Sequence, residues 1–262
     1  MRYLVLFIFF VSCSKAQEKP SYISFKLEND SLYVFAKSPV LGNTFLKIVD
    51  KETKIEKFIN FKKTGTLKVL QFEQSKIDTA QIIEKYQFSF YYGTSFFKEY
   101  DTLYNYGLPF LKGKRYKVLQ GQNSNFTHKG NFSRYAIDFK MKTGQKVCAI
   151  RDGLVVKVKK HFHKGGRDKK YRNFANLIII AHKDGTFAQY VHLKKDGAIV
   201  KEGDTVKKGQ VIGYSGNTGM STEPHLHFAV YKPTNNGFVS IPYTLDSIPT
   251  ERYKKGKFAP NN

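Results

Sequence analysis

Apolar and polar residues alternate along the first third of the chain in short runs. Ile23, Phe25 and Leu27 are separated by polar neighbours, Glu28-Asn29-Asp30-Ser31 reads as a turn, and residues 32–36 resume the pattern. Further runs occupy residues 44–49, 67–72 and 87–92. A period of two puts every second side chain on one face, so each run predicts a half-buried strand. Strands at even spacing with turn residues between them predict a small antiparallel β-sandwich-like domain over residues 17–105. Residues 75–85 are long enough for one short helix. This segment holds no histidine and no catalytic cluster, so binding, spacing or folding support is its expected role.

Tyr106-Gly107-Leu108-Pro109-Phe110 and the basic Lys112-Gly113-Lys114-Arg115 mark a join. Beyond it, over residues 106–262, strands alternate with the turns Asp152-Gly153, Asp184-Gly185, Gly203-Asp204 and Lys208-Gly209. The apolar run at residues 177–181 predicts a central buried strand. No long amphipathic helix is readable. Val, Ile, Phe, Tyr and Thr abound, and the aromatic share of 15% supplies an ample core. The fold class expected is therefore all-β, with the small sandwich followed by a mainly antiparallel β-sheet domain.

Charge and the first residues narrow the partner. A net charge of +23 across 262 residues seeks a polyanion: nucleic acid, acidic glycopolymer or membrane surface. The lysines are spread along the chain, and no nucleic-acid motif accompanies them. Met1-Arg2 precedes an apolar run over residues 3–11 that is too short to span a bilayer. A basic start, a short apolar core and small residues make a secretory signal over residues 1–16. Ser14-Lys15-Ala16 before Gln17 fits ordinary signal peptidase. Val11-Ser12-Cys13 resembles a lipoprotein box, with Phe10 where Leu is expected, and would leave Cys13 lipidated. Either signal exports the chain to the periplasm or cell envelope, lipid-anchored, or alternatively secretes it. Export disfavours nucleic acid, makes anionic cell-wall polymer the expected partner, and limits membrane contact to an anchor at Cys13. With Cys13 removed or acylated, Cys148 has no partner for a disulfide. Its apolar strand makes it a small buried hydrophobe without chemistry.

The candidate chemistry centres on Glu223-Pro224-His225-Leu226-His227-Phe228, directly after Ser215-Gly216-Asn217-Thr218-Gly219. In a strand His225 and His227 share a face, and one or both can reach a metal from a rigid element. The competing reading is a pair of solvated histidines on an edge strand. Asp138, between Ile137 and Phe139, is a carboxylate in a strand that seeks burial, and so needs a cation or donors. A salt bridge or cap is its structural alternative. His128 precedes it, and His192 ends another apolar strand. Thiolates are out, and the helical His-Glu-x-x-His arrangement is absent.

Four features in this order resemble the lysostaphin-type (LytM-like) zinc metallopeptidases that cut peptidoglycan peptides. They are His128 with Asp138, the run Gly144-x-x-Val147-x-Ala149-x-x-Asp152-Gly153-x-Val155, Tyr190-x-His192-Leu193, and the loop leading into Pro224-His225-Leu226-His227-Phe228. The similarity covers about residues 120–232. It implies one zinc ion per chain held by His128, Asp138 and His227, with His192 and His225 as the catalytic pair. It also implies an exported zinc metalloendopeptidase that hydrolyses peptide cross-links of peptidoglycan. The residues leave open which histidine serves which step. One departure stands out: residues 129–137 separate His128 from Asp138, where the compact family form keeps the two closer, so residues 129–135 must form a loop.

Two other readings compete. A non-catalytic LytM-like wall-binding module that activates another wall hydrolase shares the fold but loses ligand residues; this chain keeps all five positions. Residues 203–213 resemble half of a lipoyl-type carrier hairpin, better read as shared hairpin architecture. His161-Phe162-His163, flanked by Lys159, Lys160 and Lys164, is expected to be a basic groove wall touching substrate. His182 is expected at the surface, and Asn176 to help orient the site.

Overall fold

The structure, a computed structural model, describes residues 22–38, 44–61, 65–73, 77–92, 100–124, 127–234 and 237–259. The expected signal, with Cys13, lies outside them. The chain divides into two compact units, Met1–Thr94 and Ser95–Asn262.

In the first unit the strands are β1 (Ile23–Glu28), β2 (Ser31–Lys37), β3 (Thr44–Asp50), β4 (Glu56–Phe61), β5 (Thr66–Glu73) and β6 (Tyr86–Tyr92), with the helix α1 (Thr79–Lys85) before β6. They form two antiparallel three-stranded sheets in the orders β1-β2-β5 and β4-β3-β6. Phe25, Val34 and Val69 from one sheet and Leu46, Ile48 and Phe61 from the other close one core with Ile82 of α1. This is the sandwich that the alternation predicts. Strand β4 escapes the pattern because, as an edge strand, it buries Phe61 alone and leaves Phe58 half exposed. Helix α1 starts where Asp78 and Gln81 cap each other's backbone N–H groups.

The second unit contains β7 (Asn105–Tyr106), β8 (Val118–Gln120), β9 (Ile137–Phe139), β10 (Lys146–Cys148), β11 (Gly153–Lys159), β12 (Gly165–Gly166), β13 (Asn176–Ala181), β14 (Phe187–Ala198), β15 (Thr205–Val206), β16 (Val211–Ser215), β17 (Gly219–Met220), β18 (Leu226–Thr234), β19 (Gly237–Ser240), β20 (Thr244–Leu245) and β21 (Ile248–Pro249). The main sheet runs β15-β11-β13-β14-β18-β9-β8, with β10 and β16 branching from β14 and β19 pairing with β18. Every pair in it is antiparallel. Strand β13, the apolar run, lies inside the sheet between β11 and β14 and buries Ile178 and Ile180 completely. Those two pack with Tyr190, Phe228, Val230 and Phe139 on one face. Because burial consumes that face, the site must use the other. Cys148 is buried and unbridged, and burial pushes its thiol up to about 11. Lys207 pairs with Asp152 and Lys208 bonds the Asn105 carbonyl, so neither is presented as a carrier lysine would be.

Candidate metal centre and catalytic histidines

One row of side chains across the main sheet forms the base of the site. Residues opposite each other on paired strands share a face. The register sets Asp138 opposite His227, His227 opposite Val191, and Val191 opposite Leu177. Leu226 and Phe228, flanking His227, both enter the core, so His227 projects from the opposite face. His225 shares that face by alternation and is fixed just ahead of β18 by a bridge to Gly216. A side chain on Gly216 would meet the Lys194 backbone nitrogen at 2.3 Å, so only glycine lets this segment lie against β14.

His192 reaches the same face differently. Simple alternation from Val191 would turn it towards the core. Instead β14 bulges: Asn176 pairs with Leu193 and Leu177 with Val191, leaving His192 unpaired, with φ at 65°. The extra residue re-aims the side chain, and its ring lies 4.5 Å from His225 and 6.1 Å from His227. A left-handed backbone at histidine costs roughly 1–2 kcal/mol. The hydrogen bond from its Nδ1 to the Thr218 carbonyl, at 2.7 Å, helps offset that cost.

His128 arrives from the turns ahead of β9 and is wholly buried. Its Nδ1 lies 2.9 Å from the Gly121 carbonyl. A carbonyl only accepts, so Nδ1 carries the proton and Nε2 presents a lone pair. That Nε2 sits 3.4 Å from Asp138 Oδ1 and has no hydrogen-bond partner. His227 Nδ1 lies 2.8 Å from the same oxygen, and Gln120 Nε2 donates to Asp138 Oδ2 at 3.2 Å. Burial alone would raise the Asp138 carboxyl, but His227 Nδ1, which donates to it, and the charge of the surrounding imidazoles hold it well below the usual carboxylate range. One ligand atom from each of His128, Asp138 and His227 lies within 4.8 Å of the others. Two nitrogens, one of them bearing an orphaned buried lone pair, and one carboxylate oxygen fit zinc, whose catalytic sites take three protein ligands.

The other two histidines are oriented from behind. His225 Nδ1 contacts the Glu223 carbonyl at 2.8 Å and Ser221 Oγ at 3.0 Å, while its Nε2 lies 3.9 Å from Asp138 Oδ1. Both His192 and His225 therefore carry the proton on Nδ1, and His225 faces the centre through Nε2. Burial, then the charges of His225 and His227, lowers His192 to about 3. Thr218 Oγ1 donates to the Leu193 carbonyl and accepts the Asn176 N–H. Asn176, fully buried, bonds both the N–H and the carbonyl of Phe162 and reaches the Lys194 carbonyl. It braces the His192 bulge.

The five residues singled out in the sequence thus stand together. His161 and His163 are exposed in the irregular stretch between β11 and β12, and residues 129–135 form turns in which Ser133 and Arg134 both bond the Gly130 carbonyl. His182 departs from expectation. It is buried, its ring 6.1 Å from Tyr106 and its Nδ1 bonded to the Asp152 carbonyl at 3.0 Å. The strand end on which it sits folds under Tyr106, which the sequence alone did not bring near. Gln120, Thr218 and Ser221 were not anticipated as supporting groups. Their polarity beside strand ends is the only local signal, and it does not distinguish them from ordinary turn residues.

Residues 133–239 match the family described as Peptidase family M23; His128 precedes the matched stretch. Glycyl-glycine endopeptidase ALE-1 of Staphylococcus capitis is 44% identical over 97 residues, covering 37% of this chain and 24% of that protein. Peptidoglycan DD-endopeptidase ShyA of Vibrio cholerae is 36% identical over 115 residues, covering 43% of this chain and 24% of that protein. This chain spans about a quarter of the length of each. The solved catalytic domain of lysostaphin from Staphylococcus simulans is 31% identical and covers 48% of this chain and 87% of that domain, with a TM-score of 0.34.

Proposed function

Given that this chain belongs to peptidase family M23, of the lysostaphin (LytM-like) type, through residues 133–239, we propose that it is an exported zinc metalloendopeptidase hydrolysing peptide cross-links of peptidoglycan. The convergence of five side chains on one sheet face carries this reading. His128, Asp138 and His227 would hold the ion. Bound there, zinc would supply a Lewis acid for the peptide carbonyl and make water a stronger acid.

The chain's own histidines do the rest. His192 and His225 each keep a lone pair on Nε2, because Nδ1 donates to a backbone carbonyl. One accepts the proton of the attacking water and afterwards delivers it to the leaving amine. The other, once protonated on Nε2, donates to the oxyanion that develops on the carbonyl. Asp138 stays ionised and compensates the positive charge gathered on its neighbours.

Retention of all five groups favours catalysis over a purely wall-binding role. The net charge of +23 supports attraction to anionic cell-wall polymer, and that attraction should weaken with salt. Export rests on the amino-terminal sequence pattern. Among the described residues no helix is long and apolar enough to cross a membrane.

Incubating the purified chain with sacculi, with and without a chelator, and identifying products by mass spectrometry tests the reading. Cleaved peptide cross-links that vanish with chelator and return with zinc are expected. Chelator-insensitive cleavage, or a product cut in the glycan strand, would overturn it.

A further inference from the structure

Sheet register sets two of the three ligand positions but not the third. Asp138 and His227 stand opposite each other on β9 and β18. His128 sits in a turn, yet it is wholly buried. A turn has no paired neighbour to fix it, so something else holds His128 beside Asp138. The end of β8 does.

By alternation from Val118, whose side chain enters the core, Gln120 would point the same way. The register between β8 and β9 shifts there, setting Val118 opposite Phe139 but Gln120 opposite Asp138. This bulge turns Gln120 onto the face of the site. Its Nε2 donates to Asp138 Oδ2 at 3.2 Å and to Thr127 Oγ1, and its Oε1 accepts the Thr127 N–H at 3.3 Å. A carboxylate only accepts, so the amide is fixed with its oxygen towards the Thr127 N–H. Asp138 Oδ1 is left turned to His128 and His227, at 3.4 and 2.8 Å. The next residue, Gly121, supplies the carbonyl that accepts from His128 Nδ1. Two adjacent residues thus grip both ligands that flank the long loop.

The C-terminal segment in turn fixes those two residues. A Cβ on Gly121 would collide with the Tyr253 carbonyl, so the two backbones lie in contact. Strand β8 ends the main sheet, and its outer side is paired: the Val118 N–H donates to the Lys257 carbonyl at 2.9 Å. The Gly256 and Ala259 N–H groups donate to the Val118 and Tyr116 carbonyls, each at 2.8 Å. Tyr253 is buried edge-on to Phe139 of β9, ring centroids 6.0 Å apart, and its hydroxyl donates to the Leu245 carbonyl. All of these tail residues follow the family-matched stretch 133–239.

We propose that Gln120 is a positioning residue for the metal ligands, and that residues 253–259 belong to the metal centre as the backing that fixes it. The proposal rests on the ligand assignment given above.

The test is zinc titration of the metal-free full chain against a competing chelator. Gln120→Met keeps the length of the side chain and removes its amide. Zinc Kd should rise by about 10–100-fold, the usual cost of losing a group that orients a ligand. Gly121→Ala, which forces the His128-binding carbonyl away from Tyr253, should raise it by about tenfold. Ile180→Val thins the same core three strands away from β9 and should leave Kd within about twofold. Equal zinc affinity in the parent and Gln120→Met, or the same loss in Ile180→Val, would overturn the proposal. Amide exchange of the unsubstituted chain tests the backing without any variant. Zinc should slow the Gly256 and Ala259 N–H groups more than that of Gly203, which bonds Val155 at the opposite edge of the sheet. Equal slowing at both edges, or none at Gly256 and Ala259, would overturn the proposal. A chain that binds no zinc would overturn the ligand assignment together with it. Tight binding lost in His227→Ala but kept in Gln120→Met would leave the assignment standing and overturn the proposal alone.

Discussion

Among the described residues of Met1–Thr94, the buried polar side chains are Ser38 and Thr44, whose hydroxyls bond each other at 2.8 Å. Ser95–Asn262 instead buries His128, Asp138, Asn176, His182, Thr218, Ser221 and His225. Both units are antiparallel β structures with apolar cores, so architecture does not explain the contrast. A buried polar group is tolerated only when partners replace the water it has lost. In the second unit nearly every such group has a backbone or side-chain partner at hydrogen-bond distance. Neither His128 Nε2 nor His182 Nε2 does, and His128 Nε2 faces a carboxylate and a second imidazole. Comparing the two units therefore separates burial that stabilises a fold from burial that prepares a binding site.

Substitution inside the polar cluster should give the largest effect. His225→Ala should lower kcat by about 10²–10⁴, the usual contribution of an acid–base group, while keeping the metal. His227→Ala should lose both, as measured by turnover on sacculi and by metal content after dialysis. Full activity in both variants would break the assignment of this cluster.

The next effect lies in the apolar unit. Leu46→Ala removes a fully buried side chain of the first sandwich and should cost about 2–5 kcal/mol. Loss of amide-exchange protection in β3 would register it. A negligible cost would mean that this core is not packed as the contact pattern indicates.

Acid should distinguish the units as well. Burial lowers His182 to about 4 from an ordinary value near 6.5. The folded second unit then binds fewer protons than its unfolded chain between those values. Its contribution to stability is complete above pH 6.5 and is lost as pH falls towards 4, on the order of 3 kcal/mol. Residues 1–94 contain no histidine, so their stability should stay nearly flat from pH 7 to 5. Denaturant melts followed by amide exchange in each unit would show the divergence, and His182→Gln should lessen the slope of the second profile without abolishing it, because His192 is lowered as well.

The smallest expected effect concerns the brace behind His192. Thr218→Val removes the hydroxyl that bridges Leu193 and Asn176 and should cost about 1–3 kcal/mol by leaving buried partners unpaired. Turnover should fall with metal content unchanged. A variant as active and as stable as the parent would show that the bulge needs no such support.

Much of the fold was legible because alternation is a local property. Phe25, Val34, Leu46 and Val69 report their faces through their immediate neighbours, and the cores use them as expected. Strand β4 was not legible, since an edge strand with most positions exposed leaves no alternation to read. At the site, His225 and His227 were readable as a pair through their spacing. Asp138 stood out as a carboxylate in an apolar strand. His182 misled because what covers a strand end depends on Tyr106, distant in sequence.

The sequence by itself determined the alternating strands, the aspartate in an apolar setting and the histidine pair two residues apart, all of which follow from side-chain chemistry and a period of two. Tertiary structure decided which of these groups meet. Register across β9, β18 and β14 brings Asp138 and His227 together. A single unpaired residue in β14 turns His192 from the core side to the site side. Backbone carbonyls of Gly121, Thr218 and Glu223 fix where three imidazoles carry their protons. Main-chain atoms have no identity in a sequence, and a bulge leaves no compositional trace, so these decisions exist only once the sheet has formed.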